Sequence, residues 1–168
     1  MSAPIQPPAG PLHRIWKLGA DIDTDALAPG AYMKLGIEGI APHCLEAVRP
    51  EFAATVRRGD VIAAGANFGV GSSREQAAAA LVQLGLAAVI APSFSGLFFR
   101  NAFNLGLLLL TCEQAGLLDE SEPVQLEVPG RGVLSARHGP LACEPVPDFL
   151  LAMVRAGGLL NQLKQRRG

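Results

Sequence analysis

The residues of this chain that are best suited to chemistry lie in one glycine-rich segment, residues 65–76 (GANFGVGSSREQ). A short apolar run precedes the segment and an alanine-rich helix follows it. Backbone N–H groups and the positive end of a helix dipole therefore meet at one place, which favours anion binding. Arg74 adds a planar guanidinium that suits a carboxylate, and the hydroxyls of Ser72 and Ser73 can share the same anion. The segment predicts a site for a carboxylate-bearing ligand.

Other uses of this segment are less consistent with its residues. No Gly-Lys-Ser/Thr triplet of a Walker loop follows, the third glycine of a dinucleotide fingerprint is missing, and no GxSxG nucleophile elbow occurs. A structural alternative is that Ser72 with Glu75, or Ser73 with Gln76, forms a capping box, which needs no function. Spacing alone favours capping. Three glycines in seven residues favour a site, because they let another group approach the backbone closely.

A second polar cluster lies upstream, in residues 21–25 (DIDTD). Three carboxylates in five residues can bind a metal ion, but the later ligands of an EF-hand loop are missing. By residue type, an Asx turn that caps the next segment is the commoner outcome. The cysteines and histidines lack ligand spacing, so no metal site is predicted on this chain. They are Cys44, Cys112, Cys143, His13, His43 and His138.

The composition excludes several classes of protein. With 49% hydrophobic and 17% charged residues the chain is not intrinsically disordered, and a net charge of −1 argues against a nucleic-acid partner. We find neither a secretory signal nor an apolar run that spans a bilayer, and the sparse, unpaired cysteines indicate the cytoplasm. A mean hydropathy of +0.29 is high for so few charges, which indicates either a dense alanine-rich core or a surface covered by another chain.

The elements that position these residues are predicted from apolar runs and their turn residues. Residues 1–12 are expected to form a flexible arm, and residues 13–168 a single domain. Between Asp21 and Pro42 we expect an irregular stretch. Alternating strands and helices predict a parallel sheet with crossover helices. The predicted strands are Arg14–Leu18, Val61–Ala64, Ala87–Ala91 and Leu107–Thr111, and the predicted helices are Pro50–Arg58, Gln76–Leu84 and Phe94–Leu105. A hairpin (Val124–Val128 and Val133–Ala136) and a terminal helix (Asp148–Gln165) complete the prediction.

Taken together, these segments resemble the small subunit of 3-isopropylmalate dehydratase, a family similar to the swivel domain of aconitase. The likeness runs from around residue 13 to residue 160 and is most specific in the GSSRE sequence of residues 71–75. The segments that carry it occur in the same order as in the family: Asp23–Asp25, Arg49–Phe52, Gly59–Ile62, Gly65–Glu75, Ser93–Ser95 and Phe98–Gly106.

The resemblance implies a fold and a reaction. The fold is an α/β, swivelling β/β/α domain with a mixed, mostly parallel sheet flanked by helices. The reaction is that of a heteromeric hydro-lyase, which isomerises a hydroxy-dicarboxylic acid by dehydration and rehydration, by default 2-isopropylmalate to 3-isopropylmalate in leucine biosynthesis. A separate large subunit of the family carries a [4Fe-4S] cluster on three cysteines, so the resemblance implies no cofactor on this chain.

The resemblance also implies roles for single residues. Ser72 matches the base that removes the carbon-bound proton, and Asp25 matches an active-site carboxylate near the leaving hydroxyl. Ser73 and Arg74 match ligands of a substrate carboxylate. The last matched segment reads the variable side chain of the substrate; it consists of Tyr32, Met33, Lys34 and Leu35.

Two departures from the family pattern leave alternatives open. Gln76 replaces a usual histidine, as in some homoaconitases, and Ala31 stands where many relatives have arginine. Lys34 can pair with a third carboxylate or point to water. The alternative substrates are homoaconitate, citraconate/methylmalate and dimethylmalate. An alternative of another class is a non-catalytic carboxylate-binding domain.

Overall fold

A four-stranded parallel sheet forms the centre of the computed structural model, which describes residues 10–167. Its strands are adjacent in chain order: β1 (Ile15–Lys17), β2 (Val61–Ala63), β3 (Ala88–Ala91) and β4 (Leu108–Thr111). Each strand lies within a predicted one, and the parallel pairing is confirmed. All four consist almost wholly of buried apolar residues, as expected for a parallel sheet covered by other elements.

Two nine-residue helices connect the central strands and pack against each other. Helix α4 (Glu75–Gln83) lies between β2 and β3, and α5 (Gly96–Asn104) lies between β3 and β4. Helix α5 begins two residues later than its predicted start at Phe94, whereas α4 begins one residue before its predicted start at Gln76. The buried face of α4 is made largely of alanine, which brings its backbone close to its neighbours (Ala77, Ala78, Ala80 and Leu81).

Short helices fill the stretch that the sequence predicts as irregular. They are α1 (Thr24–Leu27), a 3₁₀ helix (Gly30–Leu35), α2 (Gly36–Ile40) and a second 3₁₀ helix (Ala41–His43). Their lengths, three to six residues, are too short for a hydrophobic period to show in the sequence. The next helix, α3 (Phe52–Thr55), is the core of the predicted Pro50–Arg58.

A second, antiparallel sheet lies beyond a 3₁₀ turn (Ala115–Leu117) and contains β5 (Val124–Glu127), β6 (Gly132–Ser135) and β7 (Gly139–Leu141). The hairpin of β5 and β6 is the predicted one, whereas β7 was not predicted because its residues, Gly-Pro-Leu, carry no strand signal. The backbones of His13 and Val124 exchange two hydrogen bonds, of 2.7 and 3.0 Å, and so join the two sheets. The α/β fold class, with its mixed and mostly parallel strands flanked by helices, is confirmed.

The predicted terminal helix divides into α6 (Asp148–Ala156) and α7 (Leu159–Arg167). The division falls at Gly157 and Gly158, both with a positive φ. A side chain on Gly158 would meet the carbonyl oxygen of Asn104 at 2.8 Å, so the close approach of the end of α5 requires the glycine. Most of the predicted arm, residues 1–12, lies outside the described residues. No helix within residues 10–167 is long and apolar enough to cross a membrane.

At the amino end of the parallel sheet, a carboxylate joins β1 to β2. Oxygen Oδ2 of Asp60 accepts hydrogen bonds from Arg14 Nε (3.1 Å) and Nη2 (2.7 Å), Trp16 Nε1 (2.9 Å) and the Arg57 N–H (2.8 Å). The Asp60 side chain is only 5% exposed. Burial by itself raises the pKa of Asp60, but the hydrogen bonds from Arg14, Arg57 and Trp16 outweigh it and lower the pKa.

Candidate active site

The glycine-rich segment lies at the carboxyl end of the parallel sheet, between the loops that follow β1 and β3. The N–H of Gly69 donates to Ile22 O (2.7 Å), and the N–H of Thr24 donates to Val70 O (2.9 Å). On the other side, the N–H of Phe68 donates to Ser93 O (3.1 Å). The segment therefore extends the parallel pairing past the strand ends, and its backbone position is fixed by the chain itself. The carboxyl edge of a parallel sheet is the usual place for a ligand site.

The glycines of the segment serve the protein's own packing. A Cβ on Gly65 would lie 2.7 Å from the Ala20 nitrogen, and a Cβ on Gly69 would lie 2.2 Å from a ring carbon of Phe98. A Cβ on Gly71 would meet Thr24 Oγ1 at 3.1 Å. The groups that approach the backbone closely are thus neighbouring segments of this chain. The close approaches that these glycines permit are therefore intramolecular, and they shape the loop.

Ser72 and Ser73 are exposed and do not cap the helix that follows them. The N-cap of α4 is Arg74, whose extended backbone (φ −75°, ψ 109°) is typical of that position, and no side chain accepts a capping hydrogen bond there. Both predicted capping boxes were therefore wrong. The nearest polar contact of the Ser72 hydroxyl is Thr24 Oγ1 at 3.5 Å, the long limit of a hydrogen bond. The two hydroxyls are left free to meet a ligand.

Arg74 and Asp25 form an ion pair beside the serines. Arg74 Nη1 donates to Asp25 Oδ1 (2.8 Å) and to the Ala28 carbonyl (2.9 Å). The side chain of Asp25 is 67% exposed, and its Oδ1 also accepts the Gly30 N–H at 3.0 Å. The hydrogen bond from Arg74, with that from Gly30, lowers the pKa of Asp25, so the group is a carboxylate at neutral pH. Within residues 10–167, the side-chain hydrogen bonds of Arg74 all leave from Nη1, so Nε and Nη2 have donors to spare.

The four residues predicted to read the substrate lie in the 3₁₀ helix Gly30–Leu35, whose first residue contacts Asp25. Tyr32 and Met33 are half-buried and pack against the core, while Lys34 and Leu35 are exposed. The Tyr32 ring stacks on His43, which pairs with Glu46. The structure thus brings the predicted site residues to one face of the molecule, because Gly30 and Asp25 link the 3₁₀ helix to Arg74.

Asp23 has a structural role, as the Asx-turn alternative predicted. Its Oδ1 accepts the N–H of Ala26 at 2.7 Å and so caps α1. Asp21 accepts a hydrogen bond from the side chain of Asn67 (3.0 Å), which ties the first loop to the glycine-rich one. Asp25 is the one member of the cluster that faces the serine side through Arg74.

The residues of this chain do not fit an iron–sulfur cluster. Within residues 10–167 no group of three or more His, Cys, Asp or Glu side chains is placed to hold a metal ion. Cys44 is fully buried, and burial raises the pKa of its thiol to about 12, so it is not a thiolate. Cys112 and Cys143 contact each other, and the hydrogen bond from Cys143 lowers the pKa of Cys112.

The fold and the site define a class. The family model of the aconitase C-terminal domain matches residues 51–115, which contain both serines, Arg74 and three of the four parallel strands. This match relates residues 51–115, with the glycine-rich segment, to the C-terminal domain of aconitase.

Longer matches specify the family. The chain is 40% identical over 158 residues to 3-isopropylmalate dehydratase small subunit 1 of Archaeoglobus fulgidus, a match that covers 93% of this chain and 98% of that protein. It is 39% identical over 150 residues to the methanogen homoaconitase small subunit of Methanothermobacter thermautotrophicus, covering 88% and 87%. The crystal structure of 3-isopropylmalate dehydratase from Methanocaldococcus jannaschii superposes with a TM-score of 0.85 at 37% identity, covering 93% and 94%. The chain belongs to the family of 3-isopropylmalate dehydratase small subunits.

Three residues near the site were not predicted. Thr24 contacts Ser72, and its role depends on a loop pairing that no local pattern reveals. His43 and Glu46 are spaced as i and i+3, a spacing that could have identified the pair. The position of this pair beside Tyr32 depends on the turn that joins His43 to Glu46.

Proposed function

We propose that this chain is the small subunit of a hydro-lyase that isomerises 2-isopropylmalate to 3-isopropylmalate. Two of the relatives named above carry the name 3-isopropylmalate dehydratase, and each match covers 93% of this chain. The single observation that carries the proposal is the arrangement at the carboxyl end of the sheet. There, two serines that do not cap the following helix lie next to an arginine that is paired with a carboxylate. That set can remove a proton and bind a carboxylate on one ligand.

In this proposal Ser72 takes the carbon-bound proton of the substrate. A neutral serine is a poor base, so its alkoxide needs positive charge and hydrogen-bond donors nearby. Support comes from the guanidinium of Arg74 and from the positive end of α4, which begins three residues after Ser72. When the reaction runs in the hydration sense, the same hydroxyl returns the proton to carbon.

Ser73 and Arg74 then bind a substrate carboxylate. The Nη1 atom of Arg74 is engaged by Asp25 and Ala28, which fixes the plane of the guanidinium and leaves its other N–H groups for the ligand. Asp25 is proposed to face the leaving hydroxyl. Its lowered pKa keeps it anionic, so it serves as a fixed acceptor there.

We infer that the iron–sulfur cluster of such an enzyme lies on a large subunit, since the side chains of residues 10–167 do not fit one. The site is open enough for such a partner. Three exposed apolar residues lie on the segments that surround the serines: Leu35 (60% exposed), Val70 (39%) and Leu97 (50%). A second protein that covered them would exclude water from the serines. We further propose residues 13–168 as one domain, a cytoplasmic location, and neither nucleic acid nor membrane as partner.

A second candidate substrate is homoaconitate. One relative is a homoaconitase small subunit, and the exposed Lys34 carries the charge that an additional carboxylate would pair with. Citraconate/methylmalate and dimethylmalate remain alternatives within the same reaction class.

The test is co-expression with a large subunit and an assay of water elimination. Ser72→Ala is expected to lower kcat by about 10³ without loss of subunit association, because a general base contributes on that order. Arg74→Lys is expected mainly to raise KM, since a point charge replaces a planar fork. Wild-type turnover in Ser72→Ala would overturn the catalytic assignment. The non-catalytic alternative predicts instead that the isolated chain binds dicarboxylates and gains no activity from any large subunit.

A further inference from the structure

The segment Tyr32–Leu35 has little of its own to hold it in place. Its 3₁₀ helix, Gly30–Leu35, contains no fully buried residue and is only six residues long. Gly30 is tied to Asp25, but the opposite end, Leu35, is 60% exposed. A short 3₁₀ helix has poor hydrogen-bond geometry, so its position must depend on side-chain contacts. Tyr32 and Met33 make such contacts, and the ring of Tyr32 is the larger of the two side chains.

Tyr32 lies flat against His43. The ring centroids are 3.6 Å apart and the planes differ by 7°, which is van der Waals contact across the whole ring face. His43 is the last residue of the 3₁₀ helix Ala41–His43. The contact therefore joins the substrate-reading segment to a separate element, on the far side of α2.

Glu46 completes the cluster. Its Oε2 lies 2.8 Å from Nδ1 of His43, the ring on which Tyr32 stacks. The negative charge of Glu46, together with partial burial, raises the pKa of the Tyr32 hydroxyl. In the described chain, Glu46 is the charged group that acts on this hydroxyl, and His43 is the titratable ring that faces both.

The turn between His43 and Glu46 is held in an unfavourable conformation. Leu45 has φ +61°, which is a rare value for a residue of its size, and its N–H donates to Ala26 O at 2.8 Å. Its side chain is fully buried. The core therefore over-determines the turn, and this turn presents Glu46 on the same side as His43.

We propose that His43 and Glu46 are positioning residues that hold Tyr32, and with it Met33, Lys34 and Leu35, in the orientation that sets substrate preference. The inference rests on the proposed function for the reading role of that segment. The side chains of His43 and Glu46 are 32% and 40% exposed, so they contribute little to global stability. Their removal is expected to release the segment and leave the fold intact.

The first test uses the isolated chain and requires no activity. Tyr32 is the only tyrosine of the sequence, so the near-ultraviolet absorbance of tyrosinate reports its titration alone. Glu46→Gln is expected to lower the pKa of Tyr32 toward the ordinary tyrosine value of about 10. Glu38→Gln, the same change at an exposed residue of α2, is the matched control and should leave the titration unchanged. An unchanged titration in Glu46→Gln would show that the cluster does not form and would overturn the proposal.

The second test uses the assembled enzyme and two substrates. They are 3-isopropylmalate and the analogue in which a methyl group replaces the isopropyl group. His43→Ala and Glu46→Gln are expected to change the ratio of kcat/KM between them by about tenfold, through KM of the larger one, as expected for a displaced side-chain pocket. His43→Phe keeps the stacked ring and should restore most of the preference. Glu38→Gln should behave as wild type. An active wild-type enzyme whose substrate ratio is unaffected by these variants would refute the inference, whereas an inactive wild type would refute the proposed function.

Discussion

The two ends of the parallel sheet each carry an aspartate paired with an arginine, and the two pairs differ in almost every other respect. At the amino end, Asp60 is 5% exposed and one of its oxygens accepts four hydrogen bonds. At the carboxyl end, Asp25 is 67% exposed and one of its oxygens accepts two. The first carboxylate is buried between β1 and β2, and the second is exposed to solvent.

The comparison separates a structural carboxylate from one available for binding. Both groups have a lowered pKa, but the cause differs: at Asp25 the bond from Arg74 acts on an exposed group, while at Asp60 hydrogen bonds overcome burial. A lowered pKa is therefore no sign of function by itself. What distinguishes Asp25 is its neighbours. They are Arg74, which donates to the chain through Nη1 alone, and two serines that do not cap a helix.

The largest effect is expected at Gly69. It tests whether the glycine-rich loop at the carboxyl end of the sheet is rigid. Gly69→Ala adds a Cβ that would overlap Phe98 and demands φ +83° of an alanine. We expect about 4 kcal/mol loss in the free energy of unfolding, from overpacking plus backbone strain. Gly36→Ala is the control, because Gly36 has φ +71° and nothing within 4 Å of a Cβ, so only the strain of about 1 kcal/mol applies. Urea denaturation measures the free energy of unfolding of both variants. Equal losses would mean that the loop shifts to relieve the overlap with Phe98.

The second largest effect is expected at Asp60, at the amino end of the sheet. Asp60→Ala removes the acceptor of Trp16 Nε1 and of the Arg57 N–H, and we expect a loss of about 3 kcal/mol on urea unfolding. Asp60→Asn keeps an acceptor and should lose less. A loss below that of Asp25→Ala would reverse the assignment of roles to the two ends.

The dependence of stability on pH should follow the titration of Asp60, at the amino end of the sheet. The folded pKa of Asp60 lies below its unfolded value, so its contribution is complete above about pH 4 and is lost as the pH falls through the folded pKa. Unfolding free energies measured between about pH 5 and pH 2 should therefore decline less steeply in Asp60→Asn than in wild type. Identical slopes would place the acid sensitivity elsewhere.

The smallest effect on stability is expected at Asp25. Asp25→Ala should change the free energy of unfolding by less than about 1 kcal/mol, since exposed ion pairs contribute little. The neighbouring Asp23→Ala is the control, because it removes the N-cap of α1 and should cost about 1 kcal/mol. Thermal unfolding of the two variants side by side decides the order, and a larger loss at Asp25 would make it a structural residue.

Much of the fold could be predicted because its strands are buried on both faces. Runs such as Val61–Ala63 and Leu108–Thr111 have no polar alternation to confuse them, and glycines or prolines bound them. The short helices between Thr24 and His43 could not be predicted, since their order comes from contacts with distant loops. The same holds for β7, which contains a glycine and a proline.

For the candidate site, the residue types indicated a segment but could not predict its geometry. Ser72 and Ser73 satisfy the spacing of a capping box, yet the loop pairing with residues 22–24 sets the chain direction so that α4 begins at Glu75. Local spacing cannot include that long-range constraint. The Tyr32–His43–Glu46 cluster likewise depends on the left-handed turn at Leu45, which no side-chain preference predicts.

The backbone bonds of the glycine-rich segment bear on how the chain meets its proposed partner. Because Gly69, Phe68 and Thr24 already bond neighbouring loops in the single chain, no part of the segment has to fold when the subunits meet. Association should then resemble rigid docking. Its heat-capacity change should match the apolar area that Val70, Leu97 and Leu35 lose to the interface, without the excess that coupled folding adds.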